Sequence, residues 1–275
     1  MWLGYDTFVR TSITVSDGAR IAVRGYGGSG RPIVLLHGLM GRASTWWRTA
    51  RWLADHGEVI ALDARGHGDS TSPVPGPWRT ERFVADVVEV LETLRRGPGV
   101  LIGHSMGGLH GWQLAATHPE LVTGLVVEDM APDHRGVTAA PWTSWFEAMP
   151  QVFDSIAQVR DSFGWPRPSV GDYFAECVRE GPDGYRLITP HELAAGIAAE
   201  WGERDYWAGV RVVRCPALLL QAQDTRIASW QMAEMARLLP AARHVLVPDT
   251  GHLLHDDAPE CYRELVTEFL TGPVG

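Results

Sequence analysis

The feature of this 275-residue sequence that most constrains its fold is the alternation of short apolar runs with segments of helical periodicity. The apolar runs have the length of single β-strands that are buried on both faces, as in parallel sheets. Strands are predicted at 11–16, 19–25, 32–36, 58–62, 99–102, 121–128, 216–221 and 244–247, and helices at 43–56, 80–96, 105–117, 229–239 and 258–270. This order predicts an α/β fold in which helices flank a mostly parallel, twisted sheet of about eight strands.

The alternation stops after Met130 and resumes near residue 210. The segment between these points contains helical stretches, turns and many aromatic residues, but no run that predicts a buried strand. We therefore predict a core formed by residues 1–130 and 210–275, which is interrupted by a helical cap at 131–209.

Charge and cysteine content exclude several classes of protein. The net charge is -9 and the arginines are scattered, whereas a nucleic-acid surface needs clustered basic residues. No apolar run approaches the ~20 residues that a membrane span needs. Cys177, Cys215 and Cys261 are too few and too widely spaced for a disulfide framework or a zinc site. We therefore expect free thiols, a reducing cytoplasm, and a monomer or homodimer that acts on a small molecule.

A candidate nucleophile lies in the sequence Gly103-His104-Ser105-Met106-Gly107, which matches G-x-S-x-G. The motif follows a predicted strand and precedes a predicted helix, which is the context in which it forms a nucleophile turn. A sharp turn of this kind strains the backbone of the central residue and leaves no room for side chains two positions away on either side. We predict that Ser105 is the nucleophile, held above the sheet at a helix N-terminus.

Together with this motif, His37-Gly38, the turn 63–70 and Gly251-His252 resemble the α/β-hydrolase superfamily in order and spacing. The resemblance is strongest to small bacterial capped serine esterases and to the C–C-bond and lactone hydrolases. It covers essentially the whole chain and implies the α/β-hydrolase fold with a cap. It also implies that the turn 63–70, which contains Arg65 and His67, braces the nucleophile loop and binds no metal.

A serine nucleophile needs a positioned base, which is usually histidine. His252 follows a predicted strand and precedes the last predicted helix, far downstream of Ser105, as the chain order serine, acid, histidine requires. His255 lies three residues further on and is the nearest alternative. We predict that His252 is the general base.

Two aspartates are candidates for the third residue of the triad, which orients the histidine. In most relatives the acid follows the strand after the cap, but here Asp224 arrives one residue early and Thr225 occupies the expected position. Asp129 follows the preceding strand and resembles the Asp-x-x-Pro acid of some small capped esterases. Both lie at carboxyl ends of strands, where open α/β sheets place their chemistry. We favour Asp129 over Asp224, and Glu128 is a third alternative.

The remaining predictions concern the oxyanion hole and the substrate. The backbone N–H groups of Met106, which follows the nucleophile, and of Leu39, in the loop after the first buried strand, are the expected donors. No metal-ligand spacing is found, so we expect no cofactor and no metal. Candidate substrate-binding residues are Trp142, Trp145 and Trp207.

These aromatic residues favour an apolar or aromatic ester, lactone or thioester, hydrolysed through an acyl-serine. The alternatives are a C–C bond hydrolase or perhydrolase on the same scaffold, and a ligand-binding protein without catalysis. The related epoxide hydrolases and haloalkane dehalogenases use an aspartate nucleophile, and Ser105 excludes those reactions.

Overall fold

A computed structural model of the chain describes residues 9–72, 78–136, 144–145, 148–225 and 229–272. Its strands are β1 (Val9–Thr14), β2 (Arg20–Gly27), β3 (Pro32–Leu36), β4 (Glu58–Leu62), β5 (Gly99–His104), β6 (Val122–Glu128), β7 (Val178–Gly181), β8 (Gly184–Leu187), β9 (Ala217–Ala222) and β10 (Ala242–Val247). Eight of them form one sheet in the order β1-β2-β4-β3-β5-β6-β9-β10. Strand β2 pairs antiparallel with both β1 and β4, and all other neighbours in this sheet are parallel.

The α-helices of the described residues are α1 (Trp47–Leu53), α2 (Thr80–Leu94), α3 (Met106–Thr117), α4 (Ile156–Phe163), α5 (Pro168–Ala175), α6 (His191–Trp201), α7 (Trp207–Val212), α8 (Ser229–Leu238), α9 (Leu254–Asp257) and α10 (Pro259–Thr271). Helices and parallel strands alternate along the core, as the sequence predicts. The predicted fold class, a mostly parallel sheet of eight strands flanked by helices, is confirmed. None of these helices is both long enough and apolar enough to cross a bilayer.

Successive side chains of a strand point to opposite faces of the sheet, and an apolar cluster covers each face. In β3, Ile33 and Leu35 pack into one apolar cluster with Trp46, whereas Val34 and Leu36 belong to the cluster on the other face. This burial explains why the central strands read as continuous apolar runs. The carboxyl ends of β3, β5, β6 and β9 lie along one edge of the sheet.

Between β6 and β9 the described chain forms α4 to α7 and a two-stranded antiparallel hairpin, β7–β8. Phe163 stacks on Phe174 with ring centroids 4.0 Å apart, within an aromatic core of this segment. The Tyr206 N–H donates to the Pro132 carbonyl oxygen at 2.8 Å, so the two ends of the segment meet. The hairpin was not expected from the sequence, because its strands are only half-buried or exposed and contain no apolar run. The cap boundaries at 131 and 209 stay a prediction.

Candidate active site

Ser105 occupies a sharp turn between β5 and α3. Its φ and ψ of 51° and −118° lie in a region that non-glycine residues rarely adopt. A Cβ atom on Gly103 would lie 2.3 Å from the Gly107 carbonyl oxygen, and one on Gly107 would lie 2.1 Å from the Leu36 carbonyl oxygen. The turn therefore has the strained backbone and the two glycine positions that the motif predicts. Because α3 begins at Met106, the N–H groups of its first turn lie beside Ser105.

His252 lies in the loop between β10 and α9, and its side chain is half exposed. His104, which precedes Ser105, joins this loop to the nucleophile turn. Its Nε2–H donates to the His252 carbonyl oxygen at 2.8 Å, and the two ring centroids are 4.7 Å apart. Burial and the neighbouring His252 hold the pKa of His104 well below its ordinary value, so its ring is neutral. The Ser105 hydroxyl makes no hydrogen bond to His252 among the residues described.

Asp129 is fully buried at the end of β6 and hydrogen-bonds the His252 ring. His252 Nδ1–H donates to Asp129 Oδ2 at 2.7 Å. The Ala222 N–H donates to Oδ1 at 3.0 Å, and the Thr225 hydroxyl donates to Oδ2 at 3.1 Å. A proton fixed on Nδ1 leaves Nε2 of His252 as a proton acceptor. This arrangement is the one that a triad acid provides.

Asp224 lies on the adjacent strand end but in a different environment. Its side chain is 60% exposed, and its Oδ2 accepts a hydrogen bond from Arg167 Nη2 at 2.5 Å. Arg167 also donates to the Asp249 carbonyl oxygen at 2.8 Å, so it ties the segment before α5 to the loop that leads to His252. The structure therefore brings His252 to Asp129 and leaves Asp224 paired with Arg167.

Glu128 and His255, the remaining acid and base candidates, bond to each other. His255 Nδ1–H donates to Glu128 Oε1 at 2.8 Å, and both side chains are almost completely buried. Neither is brought into the Asp129–His252 pair.

The expected oxyanion donors border the nucleophile turn. A Cβ atom on Gly38 would lie 3.2 Å from Ser105 Cβ, so the loop after β3 passes directly beside the nucleophile. The Gly41 N–H donates to the Gly38 carbonyl oxygen at 3.0 Å, and Met40 has a left-handed backbone with φ of 64°. Within the described ranges, the N–H groups of Leu39 and Met106 have no hydrogen-bond acceptor. Neither group is therefore engaged by an acceptor in the described part of the protein.

The turn 63–70 is held by buried hydrogen bonds. Asp63 accepts from the Ala43 and Asp69 N–H groups at 2.5 and 2.8 Å, and the Ala64 N–H donates to His37 Nε2 at 2.9 Å. Burial lowers the pKa of His37 to about 4, and burial together with His37 lowers that of His67 to about 3. No cluster of metal-ligating side chains is found within the described part of the chain.

The structure describes two of the three tryptophan candidates for substrate binding. Trp142 lies outside the described residues. Trp145 packs in the aromatic core of the inserted segment, with its ring centroid 5.7 Å from that of Phe163. Trp207 stacks on Trp230 of α8 at 5.9 Å.

Two further residues near the site, Tyr173 and Thr225, were not among the site residues predicted from the sequence. Tyr173 of α5 is buried over residues 37–41, the loop after β3 that is expected to supply an oxyanion donor and is called the oxyanion loop below. A Cβ atom on Gly41 would lie 1.9 Å from the Tyr173 hydroxyl oxygen, and the Tyr173 ring meets His104 edge-on at 6.3 Å. Thr225 supplies a hydroxyl to Asp129. The one signal for Thr225 in the sequence is that it occupies the position expected for the acid.

Comparison with known proteins gives the same fold and family. A family model described as the alpha/beta hydrolase family matches residues 33–263. A putative 2-succinyl-6-hydroxy-2,4-cyclohexadiene-1-carboxylate synthase of Bacillus subtilis (strain 168) is 29% identical over 95% of this chain and 98% of its own. A 2-(acetamidomethylene)succinate hydrolase of Mesorhizobium japonicum is 27% identical over 88% of this chain and 89% of its own.

The crystal structure of an E-2-(acetamidomethylene)succinate hydrolase superposes with a TM-score of 0.84 at 25% identity, covering 96% of this chain and 99% of that one. The family model spans most of the chain, and the aligned relative and structure span nearly all of it. The fold is thus the α/β-hydrolase fold, and the chain belongs to the alpha/beta hydrolase family.

Proposed function

We propose that the protein is a serine hydrolase that cleaves a carboxylic ester, lactone or thioester through an acyl-serine intermediate. Ser105 is the nucleophile, His252 the general base and Asp129 the acid. The observation that carries the proposal is the 2.7 Å hydrogen bond between His252 Nδ1 and the buried Asp129, in a loop bonded to the residue before Ser105.

In the proposed reaction, His252 Nε2 takes the Ser105 proton while Oγ attacks the substrate carbonyl carbon. Asp129 keeps the proton on Nδ1 and stabilises the imidazolium. The carbonyl oxygen gains negative charge, which the Leu39 and Met106 N–H groups stabilise. The bond to the leaving group then breaks, and that group takes the proton from His252. Water, deprotonated by His252, finally attacks the acyl-serine, releasing the acid and restoring Ser105.

For the substrate we propose an apolar or aromatic group bound between the core and a cap at 131–209. Tyr173 supports this, because its ring packs beside the oxyanion loop and His104. Trp142, Trp145 and Trp207 remain candidate contacts for this group. The free cysteines Cys177, Cys215 and Cys261 support a reducing, cytoplasmic location.

A second candidate is a C–C bond hydrolase or a perhydrolase on the same scaffold. One relative is named as a 2-(acetamidomethylene)succinate hydrolase, and that name does not describe an ester substrate. The initial attack by Ser105 or activation of water by His252 would use the same residues.

The test is hydrolysis of p-nitrophenyl esters of graded acyl length by the wild-type protein and by Ser105→Ala. We expect turnover that increases with apolar acyl length, and a loss of about 10³-fold or more in Ser105→Ala. Equal turnover by both proteins would contradict the assignment of Ser105. A wild-type protein that reacts with a fluorophosphonate probe at Ser105 but turns over no ester would instead favour the second candidate. A wild type without either reaction would favour a non-catalytic binding protein.

A further inference from the structure

A second histidine–carboxylate pair lies directly beside the Asp129–His252 pair. Glu128 Oε1 accepts hydrogen bonds from His255 Nδ1 at 2.8 Å and from the His255 backbone N–H at 3.2 Å, and Oε2 lies 3.0 Å from Nδ1. The Glu128 side chain is 0% exposed and that of His255 2%. No arginine or lysine pairs with Glu128 in the part of the chain that the structure describes, so His255 is its cationic partner there.

The two pairs share one scaffold. Glu128 and Asp129 are consecutive residues at the end of β6. The segment 252–255, called the His252 turn below, leads from His252 in the loop after β10 to His255 in the first turn of α9. One end of the turn is therefore bonded to Asp129 and the other to Glu128. The Glu128 carbonyl oxygen also accepts from the Ser105 N–H at 2.8 Å, so the same residue contacts the nucleophile turn.

Packing restricts the His255 ring further. The ring stacks on Trp46 with centroids 4.5 Å apart and meets His104 edge-on at 5.5 Å. His104 in turn bonds the His252 carbonyl oxygen. His104 thus contacts both the His255 ring and the His252 backbone, and it links the two histidines.

We propose that Glu128 and His255 form a buried, charged pair whose role is to position the His252 turn for catalysis. They are positioning residues, because they act on the substrate only through His252. This inference rests on the proposed serine-hydrolase function. A buried ion pair contributes little net stability compared with apolar packing, but it fixes geometry, and removing one partner leaves an uncompensated charge.

The charge state agrees with this geometry. Burial opposes the imidazolium form, but the Glu128 carboxylate, helped by Asp256, raises the pKa of His255 above its ordinary value. The titratable groups that face the ring are Glu128 from β6, His104 from β5, Tyr262 from α10, and Asp256 and Asp257 from its own helix α9. His104 is neutral and Tyr262 is uncharged because its pKa is raised well above the ordinary value by burial. All charged neighbours are therefore anionic.

The first test is nuclear magnetic resonance of the ¹⁵N-histidine-labelled wild-type protein at pH 7. The proposal predicts that the His255 ring, assigned by its absence in His255→Gln, carries protons on both nitrogens. A neutral His255 ring at pH 7 would overturn the proposal. This measurement needs no substrate, so it stands even if the serine-hydrolase function fails.

The second test compares kcat and KM for Glu128→Gln, His255→Gln and the double variant. Each single change should lower kcat about ten- to a hundredfold, because displacement of a catalytic group by about 1 Å has effects of this size. KM should stay within about twofold, because neither residue is placed against the substrate. The double variant removes both charges and offers two amides that can bond, so it should recover much of the lost kcat.

Val266→Ala in α10 provides the matched control. Val266 is fully buried and lies outside the site, so this change lowers stability and leaves kcat unchanged. The positioning role would be overturned if the double variant had no higher kcat than the single variants. It would also be overturned if the single variants kept the wild-type kcat while their melting temperatures equalled that of Val266→Ala.

Discussion

The carboxyl ends of β6 and β9 lie side by side in the sheet, and each is followed by an aspartate, yet the two carboxylates have opposite environments. Asp129 is 0% exposed and accepts three hydrogen bonds, whereas the Asp224 side chain is 60% exposed and pairs with an arginine. Strand β6 is the direct neighbour of β5, which leads to Ser105, and β9 lies one strand further away. The two aspartates therefore differ in burial and in position in the sheet, although their residue type is the same.

This comparison also explains the contribution of β9. The end of β9 supplies two donors to Asp129, through the Ala222 N–H and the Thr225 hydroxyl. In the proposed triad, these groups orient the acid that follows the neighbouring strand.

The largest difference between the two strand ends is expected in catalysis. Asp129→Asn should lower kcat by about 10³- to 10⁴-fold, because an amide no longer fixes the proton on His252 Nδ1. Asp224→Asn, the matched control, should keep activity within about threefold, since it only weakens an exposed ion pair. The measurement is kcat and kcat/KM for one ester. The comparison is reversed if Asp224→Asn loses the activity and Asp129→Asn retains it.

The buried Glu128–His255 pair at the end of β6 should also make the protein less stable as the pH becomes alkaline. The pKa of His255 is raised in the folded protein, so its stabilising contribution is complete below about pH 6.5, the ordinary value, and is lost as pH rises through the raised value. Loss of the proton leaves buried Glu128 without its cation, so the free energy of unfolding should fall as the pH rises.

Urea denaturation between pH 6 and 9 measures this effect. The wild type should lose stability as the pH rises, and the variant Glu128→Gln/His255→Gln should lose less over the same range. Identical pH dependence of the two proteins would contradict the assignment.

Thr225 gives a sharper test of the link between the strand ends. Thr225→Val keeps the shape but removes the hydroxyl that donates to Asp129, so kcat should fall about tenfold, the size expected for one hydrogen bond to a charged group. Thr225→Ser retains the donor and should stay within about threefold of the wild type. Equal kcat values for the valine and serine variants would show that the hydroxyl has no part in orienting the acid.

The smallest effect is expected at the exposed end of β9. Arg167→Met removes the ion pairs with Asp224 and Asp257 and the bond to the Asp249 carbonyl oxygen, and should lower the free energy of unfolding by about 1 kcal/mol. Salt should reduce the difference, because exposed pairs are screened. Denaturation at low and high salt measures it, and an effect on stability that salt leaves unchanged would contradict this picture.

Local patterns in the sequence predict much of the fold and two residues of the site. Strands β3 and β4 have the bounds predicted, 32–36 and 58–62, because each is a continuous apolar run with clear ends. Strand β1 lies at Val9–Thr14 rather than 11–16, because the Val15 and Gly18 N–H groups form the turn before β2. The hairpin β7–β8 has no apolar run to reveal it. Ser105 and His252 follow from motifs whose residues are adjacent in the chain.

The candidate acid is less clear from the sequence, which favours Asp129 by its resemblance to Asp-x-x-Pro but leaves Asp224 as an alternative. The bond that distinguishes Asp129 from Asp224 joins residues 123 apart in the chain, and the Arg167–Asp224 pair spans 57. Such contacts depend on where the loop after β10 crosses the sheet edge, and no local pattern encodes that path. Glu128 and His255 were likewise visible only as alternatives to their neighbours.

Mass spectrometry after reaction with a fluorophosphonate probe shows whether Ser105 is an activated nucleophile. We expect one adduct per chain, located on Ser105, formed quickly by the wild type, much more slowly by His252→Gln, and not at all by Ser105→Ala. An unlabelled wild type, or an adduct that also forms in Ser105→Ala, would rule out Ser105 as the nucleophile.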